Sequence, residues 1–187
     1  MRTAKLILNK YIGVKMKCYG FILLLAAMIM ASNVNAQKLN ADDSTFVAKA
    51  ISGGMMEVTL GKYAQIKSST KSVVDFGKMM EKDHSKANSE LKSFIKKEKL
   101  SIDAAISKDD KKKVDDLNKL EGTKFDKEYI EAMVDDHNSD IKDFEDASGK
   151  VKNAELKQWI DKTLPTLRNH LQAAKKVQSE LKNMSNK

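Results

Sequence analysis

Apolar positions recur along most of this chain at alternating steps of three and four, the period of a helix buried along one face. Phe46, Ala50, Gly53, Leu60 and Ala64 form a first stripe, with Gly54 and Gly61 placed to let a neighbouring backbone come close. Val73, Gly77, Met80, His84, Ala87, Leu91 and Phe94 form a second, and Ile130, Met133, His137, Ile141 and Phe144 a third. Leu156, Ile160, Leu164 and Leu167 form a fourth, continued by Leu171, Ala174, Val177 and Leu181. Polar residues punctuate the stripes. Asp42, Asp43 and Ser44 suit an N-cap for a first helix over 43–68, and Ser68-Ser69-Thr70 turns into a second over 71–99. A connection over 100–107 reaches Ser107, which with Asp110 resembles a cap for a short helix ending near Leu120. A third helix is predicted over 123–147, stopped by Ser148-Gly149, and a fourth over 154–184. Pro165 should kink or break the last, because proline cannot donate the i→i−4 hydrogen bond. The expected fold class is all-α: a four-helix bundle with a short extra helix between helices 2 and 3.

The N-terminus follows another pattern. Arg2, Lys5, Lys10, Lys15 and Lys17 precede an apolar run over 21–31, and Val34-Asn35-Ala36 follows. This is the layout of a secretory signal peptide, with cleavage expected after Ala36; a start at Met16 rather than Met1 would make it tighter. The apolar run is short for a bilayer span of about 20 residues. Cys18 precedes that run, whereas a lipoprotein carries its cysteine after it. The expected organisation is a signal peptide over 1–36, a linker over 37–41 and a bundle domain over 42–184, exported to the periplasm or envelope. Removing the signal changes the charge. The whole chain carries 34 basic and 26 acidic residues, a net +8; five of the basic residues are discarded, leaving 29 against 26, or +3. Interspersed signs at that balance describe a solvated helical surface, not a nucleic-acid patch. The sole cysteine leaves with the signal, so the mature chain has neither a disulfide nor a thiolate ligand. No second apolar run is long enough to span a membrane.

All three histidines lie on or beside the stripes, His84 and His137 four residues after Met80 and Met133. The segments 80–84 and 133–137 both read Met-x-x-Asp-His. Glu81 and His84 stand at the Glu-x-x-His spacing by which carboxylate-bridged di-metal bundles present ligands, and Glu57 can point inward from the first helix. Glu57, Glu81, His84, Asp136, His137 and His170 are therefore candidate metal ligands for Fe, Zn, Mn or Cu, with Met80 and Met133 suiting a softer Cu(I). Against this, the residues three before His137 and His170 are Val134 and Leu167, so the second Glu-x-x-His pair is missing. Seam histidines are more often core residues bonded to a neighbouring acid or carbonyl, and methionines at this spacing more often fill a core. No catalytic set stands out: there is no cysteine nucleophile, no glycine-rich phosphate loop and no context that singles out a serine. Trp159 is expected to pack against a neighbouring helix. Lys96-Lys97 and Lys111-Lys112-Lys113 read as solvated faces with at most a role against anionic lipid.

Four segments carry a family resemblance: 54–61 (GMMEVTLG), Met79 to His84, Phe125-Asp126-Lys127-Glu128-Tyr129 leading to His137, and 163–171 (TLPTLRNHL). Over residues 42–181 the chain resembles the bacterial domain of unknown function 4142 family, which carries an outer-membrane-protein label. The resemblance implies a ferritin-like bundle exported across the inner membrane, with no known activity, and places Glu57, His84, His137 and His170 in recurring motifs. The leading expectation is a non-enzymatic envelope or stress-related bundle acting through contacts with envelope proteins. The alternative is a metal-binding bundle for storage, buffering or redox.

Overall fold

The structure, a computed structural model, describes residues 38–185. The expected signal peptide, Cys18 and both candidate start sites lie outside them. Five helices and no strand are present among the described residues: α1 (Ala41–Lys67), α2 (Lys71–Lys97), α3 (Lys108–Asn118), α4 (Gly122–Lys150) and α5 (Ala154–Ser185). None is long and apolar enough to cross a membrane.

The ends of the helices correct several sequence expectations. α1 is capped by Asn40 rather than by the Asp42/Asp43/Ser44 cluster. The Asn40 side chain accepts the Asp43 N–H at 2.8 Å while the Asp43 carboxylate accepts the Asn40 N–H at 3.2 Å, a reciprocal capping box. α2 stops two residues early. The Leu100 N–H reaches the Ile95 carbonyl at 3.0 Å, and Lys99 takes the left-handed conformation (φ 52°) that this wrapped C-terminus demands. Gly149 does not end α4, which continues to Lys150 and closes with the Val151 N–H on the Ala147 carbonyl. α5 runs through Pro165 as one helix, so the break does not occur. One missing N–H is tolerated where Leu164 and Leu167, on either side, are both buried. The short extra helix forms as expected: the Ser107 side chain accepts the Asp110 N–H.

Burial along α1 is shifted from the predicted stripe. Leu60 and Ala64 are fully buried as expected, but in the N-terminal half Val47, Ile51 and Met56 are buried while Phe46, Ala50 and Gly53 are only partly so. The reason is that α1 packs against three neighbours, α2, α3 and α4, and so buries a wider arc than one stripe. Its contact with α2 is close enough to need glycine on both sides. A Cβ on Gly61 would stand 2.6 Å from the Gly77 carbonyl oxygen, and one on Gly77 would stand 2.7 Å from the Gly61 carbonyl oxygen. The expected close approach of a backbone is present at Gly61, while at Gly54 the space is taken by the Asn88 side chain.

Two apolar clusters stack along the helical bundle. One gathers Leu60, Ala64, Phe76, Met80, Tyr129, Met133 and Ala174; the other gathers Val47, Ile51, Leu91, Phe94, Phe144, Ile160 and Leu167. Going from N- to C-terminus, α1 and α5 pass from the second cluster to the first, and α2 and α4 pass from the first to the second. The pairs α1–α2, α4–α5, α1–α4 and α2–α5, which are in contact, are therefore all antiparallel. Helices α2 and α4 run the same way, so the connection over 98–121 must travel the length of the molecule, with α3 laid against α1 and α4. Each of the four long helices carries one residue at the boundary between the clusters: Glu57, His84, His137 and His170.

A candidate metal centre between two apolar clusters

Glu57 lies on the α1 face between Gly54 and Gly61, three residues after one and four before the other. The close approach that these glycines permit brings its carboxylate onto α2, where Glu57 Oε2 is 2.8 Å from His84 Nδ1. Glu57 Oε1 stands 3.5 Å from His137 Nδ1, outside hydrogen-bond geometry. Across the core, His84 Nε2 is 3.2 Å from His170 Nδ1, and His137 Nε2 is 3.3 Å from the same atom. One nitrogen from each ring thus lies within 4.8 Å of the others. Glu57, His137 and His170 are at most 1% exposed and His84 6%. The rings are paired face to edge or tilted, with centroids 5.1–5.6 Å apart.

The outward nitrogens settle the tautomers. His137 Nδ1 faces the Met133 carbonyl oxygen at 2.8 Å, which can only accept, so Nδ1 carries the proton. His170 Nε2 faces Asp83 Oδ2 at 3.1 Å and donates to that carboxylate. The inward nitrogens, His137 Nε2 and His170 Nδ1, are then two lone pairs 3.3 Å apart with no hydrogen between them. When Glu57 is ionised, His84 donates from Nδ1 to it and its Nε2 becomes a third inward lone pair. When Glu57 is protonated, it can donate to His84 Nδ1, and His84 Nε2–H can bond His170.

Burial sets the charge state. It holds His84 and His137 down to about 4, with the nearby Glu57 opposing the shift at His137. Burial also lowers His170, reinforced by His84 and opposed by Asp83. All three rings are neutral at neutral pH, the form that ligates metals. Burial pushes Glu57 up to about 7, against the pull of His137.

Of the six candidate residues, the structure brings four together: Glu57, His84, His137 and His170. Glu81 lies elsewhere, accepting from Gln65 Nε2 at 2.7 Å with Lys62 Nζ at 3.8 Å. A step of three residues rotates it about 60° from His84 on a 3.6-residue helix, away from the core and onto the α1 surface. Asp136 points toward α3, with Oδ1 2.7 Å from Lys113 Nζ. Asp83, which no spacing rule had singled out, is the carboxylate that orients His170; being one residue before His84 it faces sideways, toward α5 rather than into the core. Asp140 was also missed. Burial, with Glu57 and Asp136 nearby, pushes it up to about 8. In the repeated Met-x-x-Asp-His segments, both histidines enter the core while the two aspartates part, Asp83 to His170 and Asp136 to Lys113.

Residues 29–177 match the family described as Domain of unknown function (DUF4142). The chain belongs to this family. Neither the curated proteins nor the solved structures gave a match. The DUF4142 match spans every residue of the four-helix polar layer, and its description assigns no activity.

Proposed function

We propose that this DUF4142 protein is a metal-binding bundle in which His84, His137 and His170 hold one transition-metal ion, for storage, buffering or redox. The observation that carries the reading is the approach of His137 Nε2 to His170 Nδ1, 3.3 Å apart and fully buried, where the tautomers assigned from the outer partners put a lone pair on each nitrogen. Two acceptors at that distance repel unless a cation lies between them. An ion with metal–nitrogen bonds of about 2.0–2.1 Å in tetrahedral geometry needs ligand nitrogens about 3.3–3.4 Å apart. The two pairs that share His170 Nδ1, at 3.2 and 3.3 Å, agree with that; the three nitrogens together lie within 4.8 Å, so His84 and His137 close on the ion when all three bind it. The outward N–H groups meet a carbonyl and two carboxylates, the partners that usually orient ligating histidines. Glu57 and Asp83 act in this reading as orienting carboxylates, not as ligands.

Two further points belong to the proposal. The antiparallel pairs α1–α2 and α4–α5, joined by one long crossover, support a ferritin-like four-helix bundle. The basic and apolar pattern of residues 1–36 supports export to the periplasm or envelope. A role resting only on protein contacts has less support. Among the described residues the large apolar side chains that stand exposed are Ile66 and Met184, one on α1 and the other in the last turn of α5.

The test is metal analysis of protein purified untagged from the producing cell, beside a His137→Ala/His170→Ala double variant. Near-stoichiometric metal that disappears in the variant supports the site. A wild-type protein that stays metal-free after incubation with Fe, Zn and Cu salts, followed by desalting, refutes it.

A further inference from the structure

The surroundings of the three imidazoles discriminate between metal ions, and on the metal-site reading above we propose that the site takes one cuprous ion, through the three histidine nitrogens and a thioether from Met80 or Met133. Three features point the same way. The first is charge. The ion would lie between two apolar clusters, with Glu57 as its fully buried counter-charge. Asp83 is 32% exposed and shared with solvent. Of the carboxyls nearby, Asp136 is paired with Lys113 and burial holds Asp140 toward its neutral form, so Glu57 is the buried counter-charge: it neutralises a monovalent ion and leaves a divalent one with an uncompensated charge in a dry layer, which is costly.

The second feature is the donor set. Both carboxylates are turned toward imidazole N–H groups, at 2.8 Å for Glu57 and 3.1 Å for Asp83, so the inward donors are neutral nitrogens. Hard ions such as Mg²⁺, Ca²⁺ or Mn²⁺ find no oxygen cage there.

The third feature is the layer beside the histidines. Helices α2 and α4 run in the same direction and meet in register: Phe76 and Tyr129 have ring centroids 6.0 Å apart, and two turns on His84 and His137 have centroids 5.6 Å apart. Met80 and Met133 are the midpoints of those equal steps, so they share the layer between. Both have zero exposure. A four-residue step is about 6 Å along the axis. Helical side chains lean toward the N-terminus, so the rings of His84 and His137 lean back toward the methionine layer, and the flexible methionine side chain, unbranched and with three rotatable bonds, would turn toward them to bind. A thioether is the soft donor that favours Cu(I). This gives the repeated Met-x-x-Asp-His pattern a chemical use that a purely apolar core would not require.

The experiment is anaerobic titration of the purified chain with Cu(I) in competition with bicinchoninate, and in parallel with Zn(II) against a zinc indicator. Met80→Leu, Met133→Leu and the double variant are run beside wild type, leucine being close in volume. Expected are one Cu(I) per chain, at least 100-fold tighter than Zn(II), and a loss of tenfold or more in Cu(I) affinity in the double variant with Zn(II) affinity within about twofold. A copper–sulfur scatterer in the X-ray absorption of wild type, absent from the double variant, is the second readout. Zn(II) bound as tightly as Cu(I), or Cu(I) affinity untouched by the methionine variants, overturns the cuprous assignment while leaving the three-histidine site standing. Failure of wild type to bind either ion overturns both.

Discussion

Gly61→Ala probes how the spacing between α1 and α2 builds the site. The new Cβ would meet the Gly77 carbonyl oxygen at 2.6 Å, the Glu81 nitrogen at 3.0 Å and Met80 Cβ at 3.2 Å. Two of these are backbone atoms in the middle of a helix, so they cannot rotate away, and the helices must separate by several tenths of an ångström. Alanine for glycine in a helix interior should by itself stabilise by about 0.8–1.0 kcal/mol. Overpacking a tight interface costs about 1–3 kcal/mol, and here it falls on backbone rather than on adaptable side chains. The net expectation is destabilisation by about 1–2 kcal/mol. Gly53→Ala is the internal control, because a Cβ there meets nothing within 4 Å. It receives the propensity gain alone, up to about 1 kcal/mol. Urea denaturation of the chelator-treated proteins, followed by circular dichroism, reads both. The same separation would lengthen the 2.8 Å contact between Glu57 and His84, so Gly61→Ala should also weaken metal retention while Gly53→Ala does not. If Gly61→Ala is as stable as Gly53→Ala, the close-approach argument is wrong.

Other expectations follow from single features. Lys99→Gly removes a left-handed strain at the C-terminus of α2 and should raise stability by about 0.5–1 kcal/mol in the same denaturation assay. Asp83→Asn leaves the fold intact but deprives His170 of its anionic partner; competition titration should show metal affinity reduced about 10- to 100-fold. In an Asp140→Asn variant, which lacks the carboxyl that burial pushes up to about 8, the metal-free protein should lose stability as pH falls. His84 and His137 have folded-state values near 4 against 6.5 when unfolded, so the unfolded chain binds more protons in that window and each contribution, complete above pH 6.5, is lost toward pH 4. Glu57, raised to about 7 from 4.5, acts in the opposite sense. With Asp140 removed, two groups stand against one over about two pH units, and the net loss between pH 6.5 and 4.5 is on the order of 3 kcal/mol; in the wild type Asp140, raised to about 8, joins Glu57 and largely cancels it. Denaturation midpoints of the variant that stay flat across that range would contradict the burial of neutral histidines.

The all-helical class and the approximate place of each helix were legible in the sequence, because an amphipathic helix writes its buried face as a local period. His84 and His137 could be found the same way, sitting in register with Met80 and Met133. Helix ends were less legible: Asn40, an ordinary N-cap residue, caps α1 in place of the expected Asp42/Asp43/Ser44 cluster, Lys99 takes a conformation more usual for glycine, and Pro165 sits inside a continuous helix, since caps and breakers compete with neighbouring contacts that periodicity does not record. The α1 stripe was misplaced for a related reason, as a helix with three neighbours buries more than one stripe. Which acids join the histidines was decided only in three dimensions. Asp83 and Asp136 occupy the same place in the repeated segment, and Glu81 had the better spacing, yet Asp83 reaches the site because α5 lies beside it. A helix fixes directions around its own axis; the neighbour that waits in each direction is set by how the four helices are joined and packed. Sequence alone therefore determined that three histidines face inward, and tertiary structure decided that they meet at one depth, because antiparallel neighbours and a single long crossover bring residues 57, 84, 137 and 170 to the same layer.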